Sequence, residues 1–306
     1  MNQTRHRPLG TMTSTRSSND PDLVLSAALY LLAGEILAYI VLGPLMTGVI
    51  VLRTSASGLA QVMGGDLAAL IVVVPACLIA GVMVSMSTRG GALVAIAPAG
   101  FAVYTYSQIF LGSEFLARPG NVEMFFPLFA AIVITAAVVV GRSWPRLPAV
   151  DAAVFSPRQL AVTGWVFIAA AAFVVVGIHA QGYIDAPRAS PTGVPYLETP
   201  TAFWVVKFWD LVVIAPASAA IGVALVRGRQ SAVKPALAFL GGFTLLGCSV
   251  TGMAVRMFAV GDPDSSLAMV LVSLAVTALL AAATVKAYRP FVGPHPRPVP
   301  AAKERG

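Results

Sequence analysis

Eight long apolar segments, separated by short polar loops, dominate the pattern of hydrophobic and polar positions along this chain. A helix needs about 20 apolar residues to cross a hydrocarbon core of roughly 30 Å, because each residue adds about 1.5 Å. The pattern therefore predicts an all-α, polytopic membrane bundle of about eight transmembrane helices. We place the spans at Leu23–Gly43, Asp66–Met86, Ala92–Gly112, Val122–Gly141, Gln159–His179, Thr201–Val226, Pro235–Val260 and Ser265–Lys286.

Polar segments at both ends flank the predicted bundle, which occupies residues 23–289. Residues 1–22 form a polar N-terminal tail, and Met12 is an alternative start of the chain. The first apolar run is too long for the core of a signal peptide, so we interpret it as an uncleaved signal anchor. Residues 290–306 are rich in proline and lack apolar periodicity, which predicts a disordered C-terminal tail.

A further apolar stretch, Leu45–Leu52, is too short to cross a membrane alone. It follows Gly43-Pro44, a natural helix breaker, and is expected to lie at the interface or to re-enter the membrane. In an alternative interpretation the first helix is a single kinked span that reaches Leu52. Both interpretations leave the number of crossings unchanged.

Composition agrees with a membrane location. The chain is 58% hydrophobic and 11% charged, and its mean hydropathy is +0.83. This excludes a water-soluble fold and makes the lipid bilayer the main partner. The net charge of +7 comes from scattered arginines in short loops, so it indicates topology and no nucleic-acid partner. Association with other membrane subunits or with copies of the chain stays open.

Lys and Arg are distributed unequally between the two sets of loops, and positive residues are retained on the cytoplasmic side. Fifteen basic residues fall on the side of both termini, and three fall in the opposite loops. Both termini are therefore predicted to be cytoplasmic. The fifteen are Arg5, Arg7, Arg16, Arg89, Arg142, Arg146, Arg158, Arg227, Arg229, Lys234, Lys286, Arg289, Arg297, Lys303 and Arg305. The longest predicted outer loop, 180–200, is expected to pack as a cap over the bundle mouth or to be unstructured.

An even number of spans also permits a 4+4 repeat, with two halves in the same orientation. Asp66-Leu67 precedes Val74-Pro75, and Asp210-Leu211 precedes Ala215-Pro216. The distances to the following Arg-Gly turns disagree, with 23 residues from Asp66 to Arg89 and 17 from Asp210 to Arg227. Duplication and chance are both compatible with this pattern.

Besides Asp66, Glu123 and Lys286 at span ends, four charged residues fall inside the predicted spans, where a charge costs at least a few kcal/mol and is usually paired. Glu35 lies eight residues before Gly43, about 12 Å from the outer boundary, and Asp210 lies about 14 Å from it. Lys207 precedes Asp210 by three positions, so the two can form an ion pair on one helix face. Arg256 lies near the outer end of its own span.

Uncharged polar residues extend this predicted outer layer. Tyr104 and Gln108 are four residues apart on the third span, with Tyr106 between them, and Asp66 is placed at the membrane rim as a helix N-cap or a ligand. No cofactor and no metal site is expected, because the three histidines form no pair within the membrane. Cys77 and Cys248 are assigned to packing.

Three functions are compatible with this layer. The first is a small-solute or ion/proton-coupled transporter with an outer polar vestibule, for which Glu35, Asp210 and Arg256 should converge on one cavity. The second is a structural or accessory membrane subunit, whose charges neutralise one another and fix helix register. The third and least favoured is an enzyme acting on a lipid, because neither a metal cluster nor an activated nucleophile is visible. We therefore favour a non-enzymatic function over an enzymatic one.

Several short motifs resemble a family of bacterial multi-helix membrane proteins. The motifs are Asp66-Leu67 with Val74-Pro75, Arg89-Gly90, Tyr104-Thr105-Tyr106, Gly112-x-x-Phe115, and Asp210-Leu211 with Pro216, Gly222 and Arg227. They cover less than half of the chain. Gly65 precedes Asp66 and Leu116 follows Phe115, where the family pattern has Gln and Asn. The resemblance implies a multi-pass protein of the bacterial plasma membrane and assigns it no activity.

Overall fold

Eight helices that are long and apolar enough to cross a membrane make up the computed structural model, which describes residues 22–147 and 155–292. The predicted all-helical membrane bundle is confirmed, and apart from the start of the second helix its predicted boundaries differ from the observed ones by at most six residues. The helices are α1 Leu23–Leu42, α2 Ala56–Ser85, α3 Gly91–Leu111, α4 Val122–Arg146, α5 Pro157–Asp185, α6 Pro200–Val226, α7 Gln230–Ala259 and α8 Leu267–Val292.

Helix α2 begins ten residues earlier than predicted. Ser55 is its N-cap, and the Ser55 hydroxyl accepts a hydrogen bond of 3.1 Å from the Gly58 N–H. The prediction that Asp66 caps this helix at the membrane rim is therefore wrong. Asp66 lies more than two helical turns inside α2 and is buried.

The segment after α1 is an irregular loop, so the alternative of one kinked helix reaching Leu52 is wrong. Gly43 has an extended backbone that ends α1. The side chain of Asn121, in the loop between α3 and α4, accepts a hydrogen bond of 2.7 Å from the Val51 N–H and donates one of 3.0 Å to the Val49 carbonyl. The two loops thus form one layer at the end of the bundle that we call the predicted outer end.

Helices α1 to α4 share one apolar core, to which Leu29, Ile36, Phe101 and Ile132 contribute side chains with almost no exposed surface. Helix α7 packs against α2 and α3, and α8 packs on α7. Large apolar residues of α8 such as Leu279 are exposed, which is the arrangement expected of a lipid-facing helix.

Helices α5 and α6 form a close pair. A Cβ added to Gly164 of α5 would lie 2.6 Å from the Gly222 carbonyl oxygen of α6, so only glycine permits this approach. The pair contacts the other helices through a second apolar cluster, to which Leu93, Phe167 and Leu225 belong. Nearer the predicted outer end the pair contacts α3 and the loop after it through the Tyr104–Asp210 hydrogen bond, the Glu114–Thr201 hydrogen bonds and the approach of Gly112 to Ala202.

The predicted tails lie almost entirely outside the described residues. Asp22 is described, and its carboxylate caps α1 and pairs with Arg142 and Arg146 of α4. At the other end α8 continues past Pro290 to Val292, and Phe291 is buried. The predicted tail boundary at residue 290 is therefore wrong, because residues 290–292 are helical.

Candidate functional site

A polar cluster of two buried and two partly buried side chains joins three helices in the half of the bundle nearer the predicted outer end. We call Tyr104, His179, Lys207 and Asp210 the Asp210 cluster. The Tyr104 hydroxyl of α3 donates a 2.6 Å hydrogen bond to Asp210 Oδ1. The His179 Nε2 of α5 lies 2.8 Å from Asp210 Oδ2, and its Nδ1 lies 3.2 Å from Lys207 Nζ.

His179 stands between the two charges that the sequence predicted to pair directly. A lysine ammonium has only donors, so it donates to His179 Nδ1, and the proton of a neutral imidazole then lies on Nε2, which donates to Asp210. The direct Lys207–Asp210 pair is therefore wrong, because a neutral imidazole relays the hydrogen bonding between them. With Lys207 protonated and Asp210 ionised, the cluster is electrically neutral.

The site is shielded from water on most sides. Lys207 is 6% exposed and His179 is 4% exposed. The Lys207 Nζ also lies 4.1 Å from the centroid of the Phe203 ring, which places the cation over an aromatic face. Beside it runs an apolar groove of about 570 Å³, to which Trp204 and Phe208 contribute.

Local helix geometry brings these side chains together. The backbone is π-helical over Phe173–His179 and again over Trp209–Ile214. The second of these turns precedes Pro216, whose ring has no N–H and would clash with the Val212 carbonyl of a regular α-helix. Widening the turn relieves that clash, and such turns are frequent at functional sites.

A second buried cluster lies on the opposite face of α3. Tyr104 and Tyr106 are two residues apart on this helix, so their side chains point to opposite sides. Tyr106 packs against Tyr39 of α1, with 5.1 Å between the ring centroids, and both tyrosines lie beside Asp66. We call Tyr39, Asp66 and Tyr106 the Asp66 cluster.

The other predicted site residues lie elsewhere. Glu35 accepts a hydrogen bond of 3.1 Å from the Thr135 hydroxyl, between α1 and α4. Arg256 lines a groove of about 520 Å³ at the predicted outer end, together with Glu198, Asp262 and several apolar residues. The single vestibule shared by Glu35, Asp210 and Arg256 is therefore not what the structure shows.

Gln108 lies one helical turn after Tyr104, and its side-chain nitrogen is buried without a hydrogen-bond partner among the described residues. The sequence did not predict the roles of two other residues, His179 and Glu114. His179 ends the predicted fifth span, and only the rotation of α5 against α6 turns it toward Asp210. Glu114, in the loop after α3, accepts hydrogen bonds of 2.7 Å from both the N–H and the hydroxyl of Thr201.

Glu114 thereby fixes the start of α6 relative to α3. An acidic side chain at a helix N-terminus satisfies free N–H groups and complements the helix dipole. Gly112 supports this contact, because a Cβ there would lie 3.1 Å from the Ala202 Cα. The loop after α3 and the start of α6 are thus positioned together, directly outside the Asp210 cluster.

Comparisons with known proteins find no matching family model, no matching curated protein and no matching solved structure. The interpretation of both clusters therefore rests on their own geometry, and the resemblance to a bacterial membrane family stays a prediction.

Proposed function

We propose that this integral membrane protein is a proton-coupled transporter of small solutes in which Asp210 takes up and releases the coupling proton. The observation that carries the proposal is the continuous chain of hydrogen-bonding groups from Lys207 through His179 to Asp210 and Tyr104. Ionisable groups inside a membrane are costly, and chains of carboxylate and histidine groups there are typical of proton relays.

Protonation of Asp210 has a defined mechanical consequence. The ionised carboxylate accepts hydrogen bonds from Tyr104 and His179, and charge-assisted bonds of this kind are about twice as strong as neutral ones. A protonated carboxyl weakens the bond to Tyr104, which connects α6 to α3 alongside the Glu114 cap on Thr201. Weakening this bond loosens the α5–α6 pair between the Glu114 cap and its packed inner end.

Two grooves supply routes for a solute. The apolar groove beside Lys207 suits the apolar body of a small molecule. The groove around Arg256 presents both signs of charge at the predicted outer end, since Glu198 and Asp264 also line it. Solute entry from this end requires movement of the loop that precedes α6.

Reconstituted protein tests the proposal. Proteoliposomes enclosing a pH-sensitive dye are exposed to a panel of amino acids, organic cations, organic acids and alkali cations. We expect one class to change the internal pH with the native protein, and Asp210→Asn to abolish the change. Glu123→Gln, which alters an exposed carboxylate near the loops, is the matched control and should behave like the native protein.

A structural role is the second candidate, and one observation favours it. Every charged group of the Asp210 cluster is paired within the bundle, as expected if the cluster only fixes helix register. If Asp210→Asn lowers only the amount of folded protein, and the native protein moves no proton with any solute class, the structural role holds and the transport proposal fails.

A further inference from the structure

The Asp66 cluster is a buried polar site that the proposed transport cycle does not use. Asp66 lies ten residues after the start of α2, and Asp210 lies ten residues after the start of α6. Both carboxyl groups are therefore about 15 Å along their helices from the predicted outer end. Each of them also lies just before or within a π-helical turn that precedes a proline.

Most oxygen atoms of the Asp66 cluster are enclosed without a well-formed hydrogen bond. Asp66 is 2% exposed, and Tyr39 and Tyr106 are 0% exposed. Asp66 Oδ2 and both phenolic oxygens make no hydrogen bond of normal distance and angle among the described residues, although the Tyr39 hydroxyl lies close enough to the Asp66 carboxyl to interact with it. Buried polar atoms are hydrogen-bonded in the great majority of cases, so three such oxygens at one place need a specific explanation.

No positive side chain compensates Asp66. The titratable groups that face it are Tyr39 from α1 and Tyr106 from α3, while Cys77 of α2 lies beside Tyr106. From α7, Ser249 approaches the neighbouring Gly65, and Ser249 is not ionisable. Within residues 22–147 and 155–292, no Lys, Arg or His forms an ion pair with Asp66.

An ionised carboxylate in such a place is strongly disfavoured, because burial without a counter-charge costs far more than burial of a neutral group. Protonation removes this charge and adds an O–H donor, while the carbonyl oxygen of the carboxyl group can still accept a hydrogen bond. The two phenols then provide one acceptor and one donor for it. The proton comes from solvent and forms an O–H bond on the Asp66 carboxylate, without any other reaction partner.

We propose that Asp66 binds a proton in the folded bundle at neutral pH and forms a second proton-binding site, separate from Asp210. This inference stands independently of the transport proposal. Asp66 lies in a pocket without a neighbouring positive charge, whereas Asp210 lies beside His179, which in turn contacts Lys207.

Infrared difference spectroscopy of protein in nanodiscs tests the site directly. At pH 7 the native protein should show the C=O stretch of a protonated carboxyl, and Asp66→Asn should lack it. Asp210→Asn should retain the band, which separates the two sites. Glu123→Gln is the matched control, and it should remove only an ionised carboxylate band, because Glu123 is exposed and pairs with Arg53.

Tyr39→Phe and Tyr106→Phe provide a second measurement in case Asp66→Asn accumulates poorly. Each removes one hydroxyl beside the carboxyl, so we expect the C=O band to shift in frequency. Loss of an ionised carboxylate band in Asp66→Asn would overturn the proposal, and so would a C=O band unmoved by both tyrosine variants. A shift of the Asp66 bands on adding Na⁺ at constant pH would assign the site to a metal cation instead. None of these results depends on whether transport is observed.

Discussion

Lys207 and Asp210 carry opposite charges on one helix, with Lys207 buried and Asp210 partly buried, so removing either charge alone should lower the free energy of unfolding. Removing one partner of a buried pair leaves the other uncompensated and costs about 3–5 kcal/mol. We therefore expect Lys207→Met and Asp210→Asn each to lower the free energy of unfolding by about this amount. The double variant Lys207→Met/Asp210→Asn should lose less than either single variant.

Reversible unfolding in mixed micelles measures these differences. His179 connects the two charges, so the single and double variants should differ. In Lys207→Met the His179 Nδ1 loses its hydrogen-bond donor, while Nε2 still contacts Asp210. A double variant that loses the sum of both single effects would show that the two charges are not coupled through the imidazole.

Asp22 provides a pH-dependent prediction at the opposite end of the bundle. Burial by itself raises the pKa of this carboxyl, but the hydrogen bond from Arg142 and the Leu25 N–H outweigh it. The charge of Arg146 acts in the same direction, and the pKa of Asp22 falls below its ordinary value of 3.8. The stabilisation is therefore complete above the pKa of the unfolded chain and is lost as pH falls through the lower folded pKa.

We expect Asp22→Asn to be less stable than the native protein at pH 7, with the difference shrinking as pH falls below about 4. Thermal melting between pH 7 and pH 3 measures it. A difference that stayed constant over this range would contradict the assigned pairing of Asp22 with α4.

Glycine permits close backbone contact at two helix crossings, α5 with α6 and α2 with α7. The crossing of α2 with α7 can be tested with a matched control. A Cβ on Gly64 would lie 2.3 Å from the Gly252 carbonyl oxygen, so Gly64→Ala must force the two helices apart. Overpacking of this kind costs about 1–3 kcal/mol. Gly34→Ala is the matched control, because no atom lies within 4 Å of the added Cβ and the helix itself prefers alanine.

Unfolding experiments on both variants should show a loss for Gly64→Ala and no loss for Gly34→Ala. The displacement should also reach the Asp66 cluster, which lies two residues further along α2. Equal stability of the two variants would mean that α7 does not rest on α2 as closely as the structure has it.

The length and spacing of apolar runs suffice to predict eight helices, because each must bury its backbone hydrogen bonds across the membrane. The same rule fails for the start of α2, where Ser57, Gly58 and Gln61 lower the local hydropathy although packing keeps the segment helical. Charges inside the spans predict side chains that face the bundle interior, and Lys207 is buried while Asp210 is partly buried. Their partner His179 was not predictable, because no sequence rule fixes the rotation of α5 against α6.

At the scale of the whole molecule, the α5–α6 pair differs from the rest of the bundle. Helices α1 to α4 share a continuous apolar core, whereas the outer half of the pair is connected to α3 by Tyr104 and by the Glu114 cap. Polar connections change with protonation and apolar ones do not. Under the proposed function, we therefore expect the pair to be the part of the molecule whose position responds to the charge on Asp210.

The direction of this response relative to the cell depends on the orientation of the bundle, which the excess of Lys and Arg predicts. A background lacking Cys77 and Cys248 permits single exposed cysteines to be introduced at Arg229 and at Asp264. We expect a membrane-impermeant maleimide to label Asp264→Cys in intact cells and Arg229→Cys only after permeabilisation. Fifteen basic residues on one side against three on the other make this orientation favourable during insertion. The reverse labelling pattern would place Asp66 and Asp210 near the cytoplasm, and the proton would then enter both sites from inside.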